Sequence, residues 1–174
     1  EWLWQEWMRD YGVETALDIA AANLGESPVD FTVKQDAALW AERLGAVLLP
    51  TGSLRLPSAG FVPGLAGFEE GAWWVQNAAA ALPVKFMAAG FGGDLRGKKI
   101  VDLCAAPGGK TAQLAAMGAA VVALDRSAPR LKKLQENLTR LKLPAELVAA
   151  DGAVWQPPQQ VDAVLLDAPC SATG

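Results

Sequence analysis

The sequence predicts an α/β fold in which an open parallel sheet is covered by helices on both faces and preceded by a small α+β module. Three observations carry this. From residue 96 onward, short continuous apolar runs alternate with segments of helical periodicity, in the β-α-β-α-β-β order of a parallel sheet. Residues 1 to 95 differ in texture, being mixed and rich in Trp, Gly and Pro. Hydrophobic residues make up 52% of the 174 and charged residues 20%, which supports a packed core and excludes a disordered chain.

The elements follow in order. Residues 2–11 and 13–24 read as two helices separated by Gly12, the second ended by residues 25–28. Residues 29–33 read as a short strand and 37–44 as a helix stopped by Gly45. Residues 46–50 and 53–56 are strands around a Thr51-Gly52 turn, and 57–71 a Gly/Pro-rich loop. Residues 73–75 form a strand on which one of Trp73 and Trp74 faces inward and the other outward; 77–89 is a helix that contains Pro83. In the second region, 99–105 is a buried strand, 110–117 a helix and 120–125 a strand. Ser127 caps a helix whose Leu131, Leu134, Leu138 and Leu141 recur at helical spacing, with Pro144 beyond its end. Residues 145–151 and 161–167 are the third and fourth strands of the sheet. The organisation is a module over residues 1–66 and a larger domain over 67–174, truncated after the fourth strand.

Composition removes several chemistries. There is no histidine, so histidine general bases, Ser-His or Cys-His nucleophiles and most zinc sites are excluded, and no metal is expected. Two cysteines, Cys104 and Cys170, cannot build a disulfide framework and are read as reduced, which points to the cytoplasm. No apolar run is long enough to cross a membrane, at about 18 residues or more. The net charge of −4 means that nucleic acid, if bound, is held by a local patch and not by a global positive field.

The ends of the strands hold the candidate site, because ligands of open parallel sheets bind beyond the carboxyl ends. The first strand gives Asp102 and the loop Cys104-Ala105-Ala106-Pro107-Gly108-Gly109-Lys110-Thr111; the second ends at Asp125, the third at Asp151 and the fourth at Asp167. Small loop residues let the backbone approach a ligand, and Asp125 lies at the distance suited to ribose hydroxyls. Gly109-Lys110-Thr111 resembles the end of a phosphate loop, which keeps an NTPase-like domain open as an alternative. That pattern, however, requires glycine where Cys104 stands. Four carboxylates at the lip repel phosphates and attract the sulfonium and ammonium of S-adenosylmethionine. Asp125 is thus assigned to the ribose, Asp151 to the adenine amine and Asp167 to the methionine end. Asp102 is the weakest of the four, being able to turn inward onto the loop.

Two strings add a resemblance. The run from Asp102 to Thr111 resembles the cofactor loop of the Sun/Fmu family of ribosomal RNA cytosine-C5 methyltransferases. Leu166-Asp167-Ala168-Pro169-Cys170-Ser171-Ala172-Thr173-Gly174 is similar to that family's next signature. Gly67-Phe68-Glu69-Glu70-Gly71 with Trp74-Val75-Gln76 resembles its entry into the methyltransferase domain, and residues 1–56 its small RNA-binding module. The resemblance implies a Rossmann-like methyltransferase sheet. It also implies S-adenosylmethionine held by Cys104, Ala105, Ala106, Pro107, Gly108, Gly109, Lys110, Asp125, Asp151 and Asp167. It implies as well that Cys170 assists product release, the attacking cysteine belonging to a later Thr-Cys motif that these residues lack, and that Asp167 and Lys110 face the reaction. Asn77 stands where the family usually has an acid.

The expected partner is RNA, with a non-catalytic RNA-binding scaffold as a further alternative. Basic residues gather at Arg96, Lys98 and Lys99 and at Arg126, Arg130, Lys132 and Lys133, the second group reading as a solvated helix face. Trp2, Trp4 and Trp7 could stack bases but read better as packing residues. The fourth strand is expected to leave one apolar edge unpaired, where another chain can add.

Overall fold

The computed structural model describes residues 1–169. The elements are α1 (Trp2–Leu24), β1 (Val29–Val33), α2 (Ala37–Leu44), β2 (Val47–Leu48), β3 (Leu54–Leu56), a 3-10 turn (Val62–Gly64) and β4 (Trp73–Val75). They continue with α3 (Leu82–Gly90), β5 (Lys99–Leu103), α4 (Gly109–Ala116), β6 (Ala120–Asp125), α5 (Ala128–Leu141), β7 (Glu146–Ala149) and β8 (Ala163–Leu166). No described helix is long and apolar enough to cross a membrane.

Two sheets form. The first is antiparallel in the order β2-β3-β1-β4; the second is parallel in the order β7-β6-β5-β8. Because β4 lies beyond residue 66 and closes the first sheet, the chain's two parts meet within that sheet and not at a linker. The first core gathers Phe31, Leu54, Leu56 and Trp73, with Phe31 and Trp73 edge to face at 4.7 Å between ring centroids. The helices α3, α4 and α5 pack on the sheet face that carries Ile100, Val121, Ala123 and Leu165. In α5 the buried positions are Leu131, Leu134, Leu138 and Leu141, as their spacing predicts.

The expected break within α1 is present: Gly12 takes a non-helical φ of 79° and ψ of 167° and separates two helices. Other expectations are corrected. α3 begins at Leu82, not at residue 77, because Pro83 has no N–H to bond backward and is tolerated only in a first turn. Trp73 and Trp74 are both buried, since the outward face of β4 lies on α5 and not in solvent. Among the described residues, helices cover one face of the parallel sheet. Residues 150–162, interrupted by Pro157 and Pro158, form turns instead of a helix, and Val164 and Leu166 on the opposite face are 52% and 63% exposed. β8 pairs with β5 alone, so its other edge is free among the described residues.

Gly71 shows how tightly the parts are joined. At φ 67° it faces α5, where an added Cβ would lie 2.2 Å from the Arg140 carbonyl oxygen. Arg140 in turn donates to the carbonyls of Phe68 and Trp73 and stacks its guanidinium 4.0 Å from the Phe68 ring centroid.

Candidate functional site

The parallel register brings the carboxyl ends of β5, β6, β7 and β8 to one end of the sheet. β5 stops at Leu103 because Cys104 adopts φ 60° and turns the chain out of the ladder. The loop is tied back when the Ala105 N–H donates to the Leu124 carbonyl at 3.0 Å. Gly108, at φ 104°, leaves room for Leu134, which a Cβ would meet at 2.7 Å. Gly109 then opens α4.

Against this loop lies a cavity of about 200 Å³, walled by Gln76, Asn77, Asp102, Gly109, Lys110 and Asp167 together with the loop from Cys104 to Pro107. Lys110, its side chain 13% exposed, donates from Nζ to Asp167 Oδ2 at 2.5 Å. Asp102 is turned inward: its Oδ2 accepts from the Thr111 hydroxyl at 2.6 Å, while its buried Oδ1 has no donor among the described residues. Burial pushes its pKa up to about 6, opposed by the Thr111 hydrogen bond and the charge of Lys110 and assisted by Asp167.

Asp125 and Asp151 stand on the neighbouring strand ends, outside the cavity wall. Asp125 is buried; its Oδ1 accepts from the Ser127 N–H at 2.9 Å, and its Oδ2 from the Ala106 N–H at 3.3 Å. Arg130 closes the group, pairing with Asp125 at 3.1 Å and donating to the Ala106 carbonyl. Asp151 is exposed and accepts from the Ala153 N–H at 2.9 Å, as a turn-forming aspartate does. Cys170 lies outside the described residues.

Sequence reasoning missed three contributors. Arg130 looked like part of a solvated helix face, yet it reaches back over the first turn of α5 onto Asp125. Gln76 and Gln113 carry no charge, yet both are buried and bonded to each other, Gln76 in the cavity wall. Only the Trp74-Val75-Gln76 string hinted at the place of Gln76. A larger cavity, about 650 Å³, lies at the opposite end of the sheet beside Lys99, Ala120, Glu146 and Pro157, and Lys99 and Glu146 are the charged residues among its lining. It is remote from the converging carboxylates and is not the site.

Comparison with known proteins shows what such a sheet is similar to. Residues 95–174 match the family model of the 16S rRNA methyltransferase RsmB/F. This segment is similar to the RsmB/F family. The chain is 47% identical over 127 residues to the ribosomal RNA small subunit methyltransferase B of Citrobacter koseri, a match covering 70% of the chain and 28% of that relative. The chain thus spans well under half the length of the curated RsmB/F relatives it matches. Among solved structures it superposes on a methyltransferase homolog protein from Pyrococcus horikoshii with a TM-score of 0.69 and 25% identity, over 95% of this chain and 57% of that one. It also resembles NSun6 from Pyrococcus horikoshii, solved with SFG, with a TM-score of 0.53 and 34% identity over 66% of this chain and 29% of that one. The fold is therefore a methyltransferase-type parallel sheet with an antiparallel sheet in front of it.

Proposed function

We propose that this chain is the cofactor-binding part of an S-adenosylmethionine-dependent methyltransferase that methylates C5 of cytosine in ribosomal RNA. The observation that carries the reading is the set of carboxylates, Asp102, Asp125, Asp151 and Asp167, at the carboxyl ends of adjacent parallel strands around a tight glycine loop. The donor set fits the group. Asp102 offers a buried, donor-free Oδ1 in the cavity wall, and Asp167 a half-exposed carboxylate beside it, both suited to a cation. Asp125 uses only part of the acceptor capacity of a carboxylate on its three present partners, leaving a place for a ribose hydroxyl. Two further adjoining acids disfavour a polyphosphate in spite of Lys110.

When bound, S-adenosylmethionine supplies an electrophilic methyl group. Cytosine C5 is too weak a nucleophile to take it directly. A cysteine thiolate would add to C6 and make C5 enamine-like; C5 would take the methyl, with S-adenosylhomocysteine as the leaving group, and a base would then remove the C5 proton as the thiolate is eliminated from C6. The family's place for that nucleophile is a Thr-Cys pair, which residues 1–174 do not contain. Cys170 follows the Asp167 strand end and is assigned to product release. Lys110 and Asp167 face the reacting base, and the loop from Cys104 to Lys110 holds the methionine end. RNA is the partner, and the cytoplasm its place. The free edge of β8 is taken by a second copy of the chain when no other strand is supplied.

The test is direct binding. Calorimetry is expected to show S-adenosylmethionine and S-adenosylhomocysteine binding to the chain, with no binding of ATP and magnesium. Tight ATP binding with no response to either sulfur compound would overturn the proposal. In the full-length protein, mass spectrometry of the RNA product should place the new methyl on cytosine C5.

A further inference from the structure

Two glutamines form a directed relay behind the cofactor loop. Trp74 Nε1–H donates to Gln76 Oε1 at 3.1 Å; Gln76 Nε2 donates to Gln113 Oε1 at 3.1 Å; Gln113 Nε2 donates to the Ala81 carbonyl at 2.9 Å. Each amide has one orientation that satisfies this chain, because reversing either would set donor against donor. Gln76 and Gln113 are 6% and 3% exposed, so neither can turn to water instead.

The relay joins elements that face each other across the cavity. Trp74 belongs to β4 of the first sheet, Gln76 lines the cavity, Ala81 immediately precedes α3, and Gln113 lies in α4, the helix that Gly109 and Lys110 open. The stem of Gln76 also backs the loop directly, as a Cβ on Gly109 would meet Gln76 Cγ at 3.6 Å. The far side is held as well: Asp30, buried and paired with Arg55 at 2.7 Å, accepts the Ala78 N–H at 2.9 Å. Residues 76–81 are therefore fixed at both ends, by the first sheet and by α4. Nonpolar side chains would fill this space without buried amides. The polar relay specifies where α4 stands, which packing alone does not.

We infer that Gln76 and Gln113 are positioning residues that set the width of the cavity between residues 76–81 and the Gly109-Lys110 turn, and through it the affinity for the cofactor. This rests on the cofactor assignment above.

The experiment measures the affinity of the chain for S-adenosylhomocysteine by calorimetry, and its melting temperature, in wild type, Gln113→Met, Gln113→Glu and Leu56→Ala. Met keeps the volume and breaks both links. Glu keeps the acceptor for Gln76 and loses the donor to Ala81. Leu56 lies in the first core, away from the relay, and controls for lost stability. Gln113→Met is expected to weaken binding about tenfold, the size of one lost and well-placed hydrogen bond. Gln113→Glu should weaken it by a few-fold, and Leu56→Ala should leave it unchanged at an equal or larger loss of melting temperature. Wild-type affinity in Gln113→Glu, or equal weakening in Leu56→Ala, overturns the inference, even where Gln113→Met does not fold. Failure of the wild type itself to bind S-adenosylhomocysteine would strike the cofactor assignment instead.

Discussion

Asp102 gives a prediction that follows from burial alone. In the folded chain its pKa stands near 6, against 3.8 for the free side chain, with burial the dominant cause. The native state therefore keeps a proton that the unfolded chain releases first. Below the unfolded value both states are protonated, and the group has no effect. As pH rises between about 4 and 6, the unfolded chain ionises while the native Asp102 resists, so stability falls; above that range both are charged and the loss is complete. At about 1.36 kcal/mol per pKa unit, the whole loss is roughly 3 kcal/mol, of which about 2 kcal/mol falls between pH 4.5 and pH 7.5. Asp102→Asn removes the titration and keeps an acceptor for the Thr111 hydroxyl. Its buried amide carries a fixed cost, but that cost does not vary with pH. The assay is urea unfolding of wild type and Asp102→Asn across this range, read as the difference between the two. The variant should gain about 2 kcal/mol relative to wild type from pH 4.5 to pH 7.5, whatever the offset. A flat difference would refute the claim that Asp102 is buried against its charge.

Three further outcomes are expected. Gly71→Ala forces a Cβ to 2.2 Å from the Arg140 carbonyl oxygen at a φ that alanine resists, and denaturant unfolding should show a loss of about 2 kcal/mol or more. Asp125→Asn strips the charge that holds Arg130 and that we propose faces the ribose, so affinity for S-adenosylhomocysteine should drop at least about tenfold in calorimetry, about 1.4 kcal/mol. Val164→Lys, on the exposed β8, should shift sedimentation profiles toward monomer; an unchanged profile that was already monomeric would show that no second copy uses that edge.

Much of the fold was legible because it rests on local signals. The runs at 29–33, 37–44, 73–75 and 120–125 coincide with β1, α2, β4 and β6, since each is bounded by a residue that cannot continue it or by a change of period. What was not legible depended on partners distant in sequence. Trp73 and Trp74 alternate, so one of them reads as outward until α5, about 60 residues later by chain order, is seen to cover Trp74. Helices on both faces of the parallel sheet were expected from the order of its strands, but Pro157 and Pro158 deny the last crossover its helix. In the site, charge at strand ends was visible as a pattern. The inward turn of Asp102 was legible as well, but its partner was not: the carboxylate accepts from the Thr111 hydroxyl in the first turn of α4 and not from the loop backbone. Arg130 was masked by its basic neighbours, and the two glutamines by their neutrality.

The position of β4 bears on what the site requires. Its successive tryptophans point to opposite faces and enter different cores, Trp73 with Phe31 and Leu54, Trp74 with Leu131, Leu134 and Ala106. A tryptophan buries roughly 200 Å², which at about 25 cal/mol per Å² is about 5 kcal/mol, comparable with the whole net stability of many domains. The Trp74 contact is therefore not an ornament between two independent units. Cutting the chain between the sheets would expose one indole or the other and leave Gln76 without the strand that aims it. Because Gln76 walls the cavity, the geometry at Lys110 and Asp167 inherits its precision from an antiparallel sheet that carries none of the carboxylates.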